Sequence, residues 1–219
     1  MITLALDAST YVGTVCVARG REILAARTVA MRDSRSERLM PAVAAALAEA
    51  AVSVGTVERV VCGAGPGSFT SLRIAAAIAK GMATATACPL YAVSSLALMV
   101  GAAEPQLGPG EYVATLDALR GEAYAATCVI AASGDVTEVG PVRLVSSNDL
   151  EGLERAGRPL VGDRRGVQAL PDARGVVRVA ALLERGGPAE LHRWEPEYGR
   201  VAEAQRRWEA AHGRALPNA

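Results

Sequence analysis

The chain has 219 residues, 51% of them apolar and only 4% aromatic, with 23 basic and 23 acidic side chains and zero formal charge. That length suits one large domain or two lobes of about 100 residues each, and the composition requires a core of Ala, Val and Leu with close backbone approach. Zero net charge argues against autonomous binding of tRNA or DNA, because phosphate neutralisation dominates such affinity.

"ITLALD" (Ile2–Asp7), "GTVCVA" (Gly13–Ala18) and "EILAARTVA" (Glu22–Ala30) are short runs separated by Ser9, Thr10 and Gly20. They read as a three-stranded meander. The apolar start lacks a basic n-region and carries Asp7 where a signal peptide would be greasy. "DSRSERLMPAVAAALAEAAV" reads as a helix with Leu39, Met40, Val43, Ala44 and Leu47 on one stripe. Ser34 or Ser36 offers its cap, and Pro41 fits its first turns. "ERVVCGA" (Glu58–Ala64) is a buried strand. The stretch "GAGPGSFTSLR" (Gly63–Arg73) ends it and opens a helix from about Thr70 to Ala87. Apolar side chains cover nearly all of that helix, and only Arg73 and Lys80 are charged, which predicts burial on two sides. One side belongs to its own lobe, the other to a second lobe or a partner chain. "LYAV" is a further strand, with a short helix after Ser94 and Ser95.

"EPQLGPG" (Glu104–Gly110) reads as a linker, dividing a first lobe (1–105) from a second (106–219). The pattern then restarts with strands at Glu111–Ala118, Glu122–Ile130 and Val136–Val145. A helix in "SSNDLEGLERA" follows, with Asn148 and Glu151 at capping-box spacing, then the strand "PLVGD" and a helix over Val179–Gly186. The α/β order βββαβαβα, given twice, is that of the two-lobe actin/hexokinase/Hsp70 (ASKHA) fold. In the tail, Val201, Ala204, Trp208 and Ala211 share a stripe and Glu203 pairs with Arg207, which predicts an amphipathic helix folded onto the body. Docking of a further subunit on it is a second reading.

In that superfold a nucleotide lies between the lobes, and Asp7 in "LALDAST" stands where a phosphate loop would begin. The alternative is a carboxylate capping its own turn. No second glycine-rich phosphate loop stands out, since "VGDRRG" (Val161–Gly166) and "RGGP" (Arg185–Pro188) do not resemble one. "GPGSFT" has Phe69 where a Walker loop needs Lys. Gly65 and Gly67 therefore read as turn formers, with Ser68 or Thr70 as helix cap, in a device that positions elements. His192 and His212 are too far apart for a helical ligand pair, and no serine sits in a G-x-S-x-G elbow. Cys16, Cys62, Cys88 and Cys128 lie singly in apolar runs, as buried thiols of a reducing compartment do. Lys80 and Pro89 interrupt the longest apolar tract, so a soluble, cytoplasmic chain is expected.

"LALDAST", "SERLMP", "GAGPGSFTSLRIAAAIAKGMA" and "YAVSSLALM" resemble the TsaB (YeaZ) family, densely up to about residue 100 and thinly beyond, where "PEYGR" (Pro196–Arg200) is similar to its late P-x-Y-L-R. The resemblance implies a non-catalytic partner in making threonylcarbamoyladenosine beside the tRNA anticodon. It implies pairing with the paralogous transferase TsaD through first-lobe helices, recruitment of the ATPase TsaE, and tRNA contact only through the complex. No cofactor of its own is implied; nucleotide and metal belong to the partners. The TsaD metal histidines correspond to Arg35 and Leu39 here. The interface implied comprises Ser36, Leu39, Met40 and Val43 from one helix, with Phe69, Leu72, Arg73, Ala76 and Lys80 from the other; ordinary core is the alternative for the apolar ones. Arg35 replaces the family's His, and Ser71 and Ala75 replace glycines expected on the face that meets TsaD. An exposed apolar two-helix surface also predicts a homodimer when the chain is alone. The competing reading is an autonomous ASKHA-type ATPase or small-molecule kinase; a metallopeptidase needs ligands the sequence lacks.

Overall fold

The computed structural model describes residues 1–32, 37–199 and 212–213. Ser34, Arg35 and Ser36, and the terminal stripe from Val201 to Ala211, lie outside the described residues.

Strands β1 (Ile2–Asp7), β2 (Val12–Arg19), β3 (Glu22–Ala30), β4 (Arg59–Gly63) and β5 (Leu90–Val93) form one sheet in the order β3-β2-β1-β4-β5. β1, β4 and β5 run parallel, and β2 is antiparallel to both its neighbours. Strands β6 (Gly110–Asp117), β7 (Glu122–Ile130), β8 (Val136–Ser146), β9 (Leu160–Gly162) and β10 (Val167–Gln168) repeat the arrangement as β10-β9-β6-β7-β8. The same order with the same mixture of directions in both halves makes this a duplicated, two-lobe ASKHA-like fold. The second copy is abbreviated. Only residues 163–166 separate β9 from β10, where the repeat had predicted a helix, and a 3-10 segment (Ala173–Arg178) precedes the last described helix.

Among the described residues the α-helices α1 (Leu39–Glu49), α2 (Phe69–Thr86), α3 (Ser95–Ala102), α4 (Ser147–Arg155) and α5 (Ala180–Gly186) accompany the sheets. α1 begins later than its apolar pattern suggests. The Glu37 carboxylate accepts from the Leu39 and Met40 amides (the latter at 3.0 Å), supplying partners that the Arg38 side chain does not provide. Pro41 then sits in the first turn, where its missing N–H costs nothing. The buried stripe is Leu39, Ala42, Val43, Ala46 and Leu47, so Met40 and Ala44 of the predicted stripe face outward instead. α4 is capped by Ser146 with Asp149 rather than by Asn148 with Glu151. The Asp149 amide donates to Ser146 Oγ at 3.2 Å and the Ser146 amide to Asp149 Oδ2 at 2.9 Å.

Both faces of the first sheet are covered, which is why β1 reads as a nearly continuous apolar run. Leu4 and Leu6 point to α1 and α2, while Ala5 joins the core between the lobes. α3 lies in that second core with Leu96 to Val100 entirely enclosed. Its fit against the 3-10 segment depends on glycine, since a Cβ on Gly175 would run into the Leu98 carbonyl. The lobes are also joined by polar contacts: the Ala173 amide donates to Thr14 Oγ1 at 2.9 Å, and Arg21 pairs with Asp135 at 2.9 Å.

Late in the chain, residues 189–198 return to the first lobe. The Ala189 amide bonds the Leu90 carbonyl and the Glu197 amide the Ala64 carbonyl, each at 2.7 Å. Ala189, Leu191 and Trp194 pack against the first-lobe core. This segment runs alongside α2 and completes the lobe that the N-terminal half begins.

Candidate functional site

The glycine-rich turn works by contact with the β1–β2 turn. The Ser68 amide donates to the Ser9 carbonyl at 2.7 Å, and a Cβ on Gly67 would collide with that same carbonyl. Gly65 has φ +97, and a Cβ there would meet the Glu197 carbonyl. The turn is thus held from below by Ser9 and from above by the returning segment. Ser68 occupies the N-cap position of α2 without a side-chain capping bond; its hydroxyl instead donates to Ser71 Oγ at 3.1 Å. The predicted positioning role fits this geometry.

Asp7 is completely buried. Its Oδ1 accepts from the Ser9 amide at 2.9 Å and the Ser9 hydroxyl at 2.7 Å, and its Oδ2 from the Ser95 hydroxyl at 2.5 Å. Gly63 closes over it, because any Cβ there would strike the carboxylate. Burial raises its pKa above the usual aspartate value, and the bonds from Ser95 and Ser9 only partly offset that. Asp7, the candidate for holding a nucleotide phosphate or its metal, is thus placed inside the fold and not on the cleft. The carboxylate turns inward to tie the β1–β2 turn, β4 and α3 together, which is the turn-capping alternative extended to a longer reach.

The interface candidates divide between interior and surface. Leu39, Val43, Leu72 and Ala76 are buried within the first lobe, so their side chains are not available to another molecule as the chain stands. Met40, Phe69 and Arg73 are exposed, Lys80 is half-buried, and Ser36 is outside the described residues. Ser71 and Ala75, in place of the family's glycines, also point inward, so the Cβ atoms they add do not lie on the open face. The open face of α2 carries Thr70, Arg73, Ala77, Gly81 and Thr84, at the three- and four-residue spacing of one helical stripe. Beside it, α1 exposes Met40, Pro41, Ala44, Ala45 and Ala48. A solvent-facing helix ordinarily carries charge on its outer side; here the exposed residues of two neighbouring helices are mostly small and uncharged, the charges being Arg73 on α2 and, at the end of α1, Glu49 paired with Arg27. Among the described residues α2 is accordingly covered on one side only, and those of the second lobe do not supply the other cover. Sequence reasoning missed Ala77, Gly81 and Thr84, although stepping by three and four from Thr70 finds them.

Both charged residues of α2 lie on aromatic rings. The Arg73 guanidinium is 5.2 Å from the Phe69 ring centre, and Phe69 contacts Tyr198 with ring centres 4.4 Å apart. Lys80 lies 5.8 Å from the Trp194 ring centre. Trp194 and Tyr198 come from the returning segment, which fixes the flank of the open face.

Between the lobes is a cleft of about 620 Å³, where the β1–β2 and β6–β7 turns face each other. The end of β6, "TLDALR", repeats the "ALDAST" of β1, making Asp117 the second-lobe counterpart of Asp7. That repeated L-D-A was a legible signal, and it singles out a residue the sequence reading passed over. Unlike Asp7, Asp117 opens to the cleft and pairs with Arg164 at 2.6 Å. Its amide donates to Asp163 Oδ1 at 3.0 Å, and partial burial raises the Asp163 pKa.

Fold and site together define a two-lobe ASKHA-like protein with a sealed first-lobe aspartate and an open two-helix face. Residues 28–160 match the model of the family described as TsaD, tRNA N6-adenosine threonylcarbamoyltransferase. The chain is 28% identical over 227 residues to the tRNA threonylcarbamoyladenosine biosynthesis protein TsaB of Bacillus subtilis, covering 95% of this chain and 98% of that protein. To TsaB of Escherichia coli it is 32% identical over 124 residues, covering 57% of this chain and 53% of that one. YeaZ from Pseudomonas aeruginosa superposes with a TM-score of 0.73 at 27% identity, over 90% of this chain and 99% of that chain. The chain belongs to the TsaD family and, within it, to the TsaB (YeaZ) group.

Proposed function

We propose that this chain serves tRNA threonylcarbamoyladenosine biosynthesis as a non-catalytic subunit. It pairs with a TsaD-like paralogue through the open face of α1 and α2. The observation that carries the reading is that face: Met40, Ala44, Ala45 and Ala48 of one helix beside Thr70, Arg73, Ala77 and Gly81 of the next. Small side chains allow another pair of helices to approach closely, and Met40 and Phe69 offer apolar anchors at its edge. The names of the relatives support the pathway. Catalysis is assigned to the partner because Asp7, the carboxylate expected in a working phosphate loop, is fully enclosed and bonded to Ser9 and Ser95.

On this reading the nucleotide and metal are held by the TsaD-like and TsaE-like partners, and tRNA is met through the assembled complex in the cytoplasm. The same face closes on a second copy when the paralogue is missing, giving a homodimer. No helix among the described residues is long and apolar enough to cross a membrane. The test is light scattering after size exclusion, with the chain alone and with a TsaD-like protein from the same genome. A homodimer that exchanges into a one-to-one heterodimer supports pairing. Failure to form it, even with nucleotide and a TsaE-like ATPase present, overturns it.

A further inference from the structure

The two lobes repeat one hairpin, and the two copies meet tip to tip. The β2–β3 turn carries Gly20 and Arg21, and in the β7–β8 turn the Ala131 amide donates to the Asp135 carbonyl at 2.9 Å. Arg21 Nη1 donates to Asp135 Oδ1 across the junction at 2.9 Å, and the Ser133 hydroxyl donates to Asp135 Oδ2 at 2.7 Å. Arg178, the last residue of the 3-10 segment, packs against the same turn. Its Nε donates to the Gly134 carbonyl at 2.8 Å and its Nη2 to the Leu107 carbonyl at 3.3 Å. None of these residues lines the interlobe cleft or belongs to the α1–α2 face.

The charges at this junction do not balance. Arg178 is only 6% exposed, and both of its hydrogen bonds go to neutral carbonyls. Its Nη1 is buried and has no partner among the described residues. A buried charge is ordinarily paired, because its desolvation is otherwise uncompensated. The carboxylate that acts on Arg178, that of Asp135, is committed to Arg21 and Ser133. Two guanidinium groups against one carboxylate leave a surplus positive charge. Burial first, and then the repulsion of Arg21, lowers the Arg178 pKa.

Gly134 supplies the room. It has φ +82 and no side chain, and the point that a Cβ would occupy is 3.4 Å from Arg21 Nη2 and 3.8 Å from Arg178 Nη2. Among the described residues no other atom comes within 4 Å of that point, apart from Gly134 and its two neighbours in the chain. The two guanidinium groups thus converge on a small space, and Arg21, with its side chain 55% exposed, gives that space a way to solvent. We propose that the hairpin junction binds a monatomic anion of the chloride type beside Gly134, held between Arg21 and Arg178. The ion supplies the missing negative charge and bridges the first-lobe hairpin to the second-lobe segment that carries Arg178. The space is that of a single methyl group, so a bulky organic anion does not enter.

The experiment is thermal unfolding of the full chain in potassium chloride and in potassium gluconate at equal ionic strength. The midpoint should be higher in chloride and should climb with chloride concentration to a plateau, as for a ligand that binds only the folded state. Gly134→Ala places a methyl group at the site. Whatever its own cost in a left-handed turn, it should erase the difference between the two salts. Asp135→Asn removes the competing negative charge and should lower the chloride concentration at half effect by about tenfold. Arg21→Gln should raise it by about tenfold. A general salt effect does not move in opposite directions in these two variants. A bromide-soaked crystal should show its anomalous peak beside Gly134. The proposal is overturned by equal midpoints in the two salts, by a difference that persists in Gly134→Ala, or by a bromide-soaked crystal with no peak at that place. None of these results bears on heterodimer formation, which is measured separately.

Discussion

Replacing Asp7 by alanine separates an enclosed structural aspartate from a ligand of nucleotide. In the folded chain its carboxylate accepts from the Ser9 amide, the Ser9 hydroxyl and the Ser95 hydroxyl, all without solvent. The two hydroxyls can rotate toward other acceptors, whereas the amide cannot. A stranded buried donor costs about 1–3 kcal/mol. Removing a buried carboxylate returns part of that, because its desolvation disappears. The net loss should be about 2 kcal/mol. With a urea slope of about 2 kcal/mol per molar, the unfolding midpoint should fall by about 1 M. An unchanged midpoint in Asp7→Ala refutes the structural role, most clearly if nucleotide affinity changes instead. Asp7→Asn gives the electrostatic part. The folded pKa of Asp7 is raised above its ordinary 3.8, so the native state holds the proton more tightly than the unfolded chain. Its contribution is fullest below 3.8 and is lost as pH rises toward the folded value. Asparagine has no such slope, so the stability of Asp7→Asn relative to wild type should improve as pH rises through that window. A difference that stays flat with pH contradicts the assignment.

Four further substitutions probe the packing. Gly67→Ala drives a methyl into the Ser9 carbonyl and should destabilise by about 1–3 kcal/mol, read as a lowered thermal midpoint; an unchanged midpoint means the turn does not rest on Ser9. Leu72→Ala, at a fully buried position, should cost about 2–5 kcal/mol in chemical denaturation. Arg73→Glu, one residue further on the open face, should leave unfolding nearly unchanged and weaken pairing; the reverse pattern would exchange the two faces of α2. Trp194→Ala should lower the thermal midpoint and speed amide exchange along α2, since the returning segment packs there through this ring; unaltered exchange would mean that the segment does not support the helix.

Much of the fold was legible because period and turn chemistry agreed. β1, β3, β5 and β7 occupy the spans their alternation and flanking glycines suggest, and α2 differs from expectation by one residue at each end. Helix starts were less legible because several nearby side chains could serve as the cap and only one does. Glu37 capping α1 and Ser146 with Asp149 capping α4 each displaced an equally plausible local signal. The missing crossover between β9 and β10 could not be seen, since nothing in "VGDRRG" distinguishes a short turn from the start of a helix. For the site, the apolar circumference of α2 was plain, but alanine is at home on either face. Which alanines are interior is decided by the sheet beneath, so Ala76 is buried while Ala77 is open. Asp7 was visible as a singular carboxylate. Its inward turn depends on Gly63 and Ser95, which are distant in sequence and meet it only in the folded sheet.

The most direct test of the pairing account is calorimetric titration of a TsaD-like paralogue from the same genome with wild-type chain and with Ala77→Arg. Ala77 lies in the middle of the open α2 stripe and outside the first-lobe core, so arginine there should leave the thermal midpoint unchanged. The account predicts a one-to-one complex with wild type and an affinity at least about a hundredfold weaker for the variant, the loss of a central hot spot. Undiminished binding by a folded Ala77→Arg would contradict it and move the interface elsewhere on the molecule.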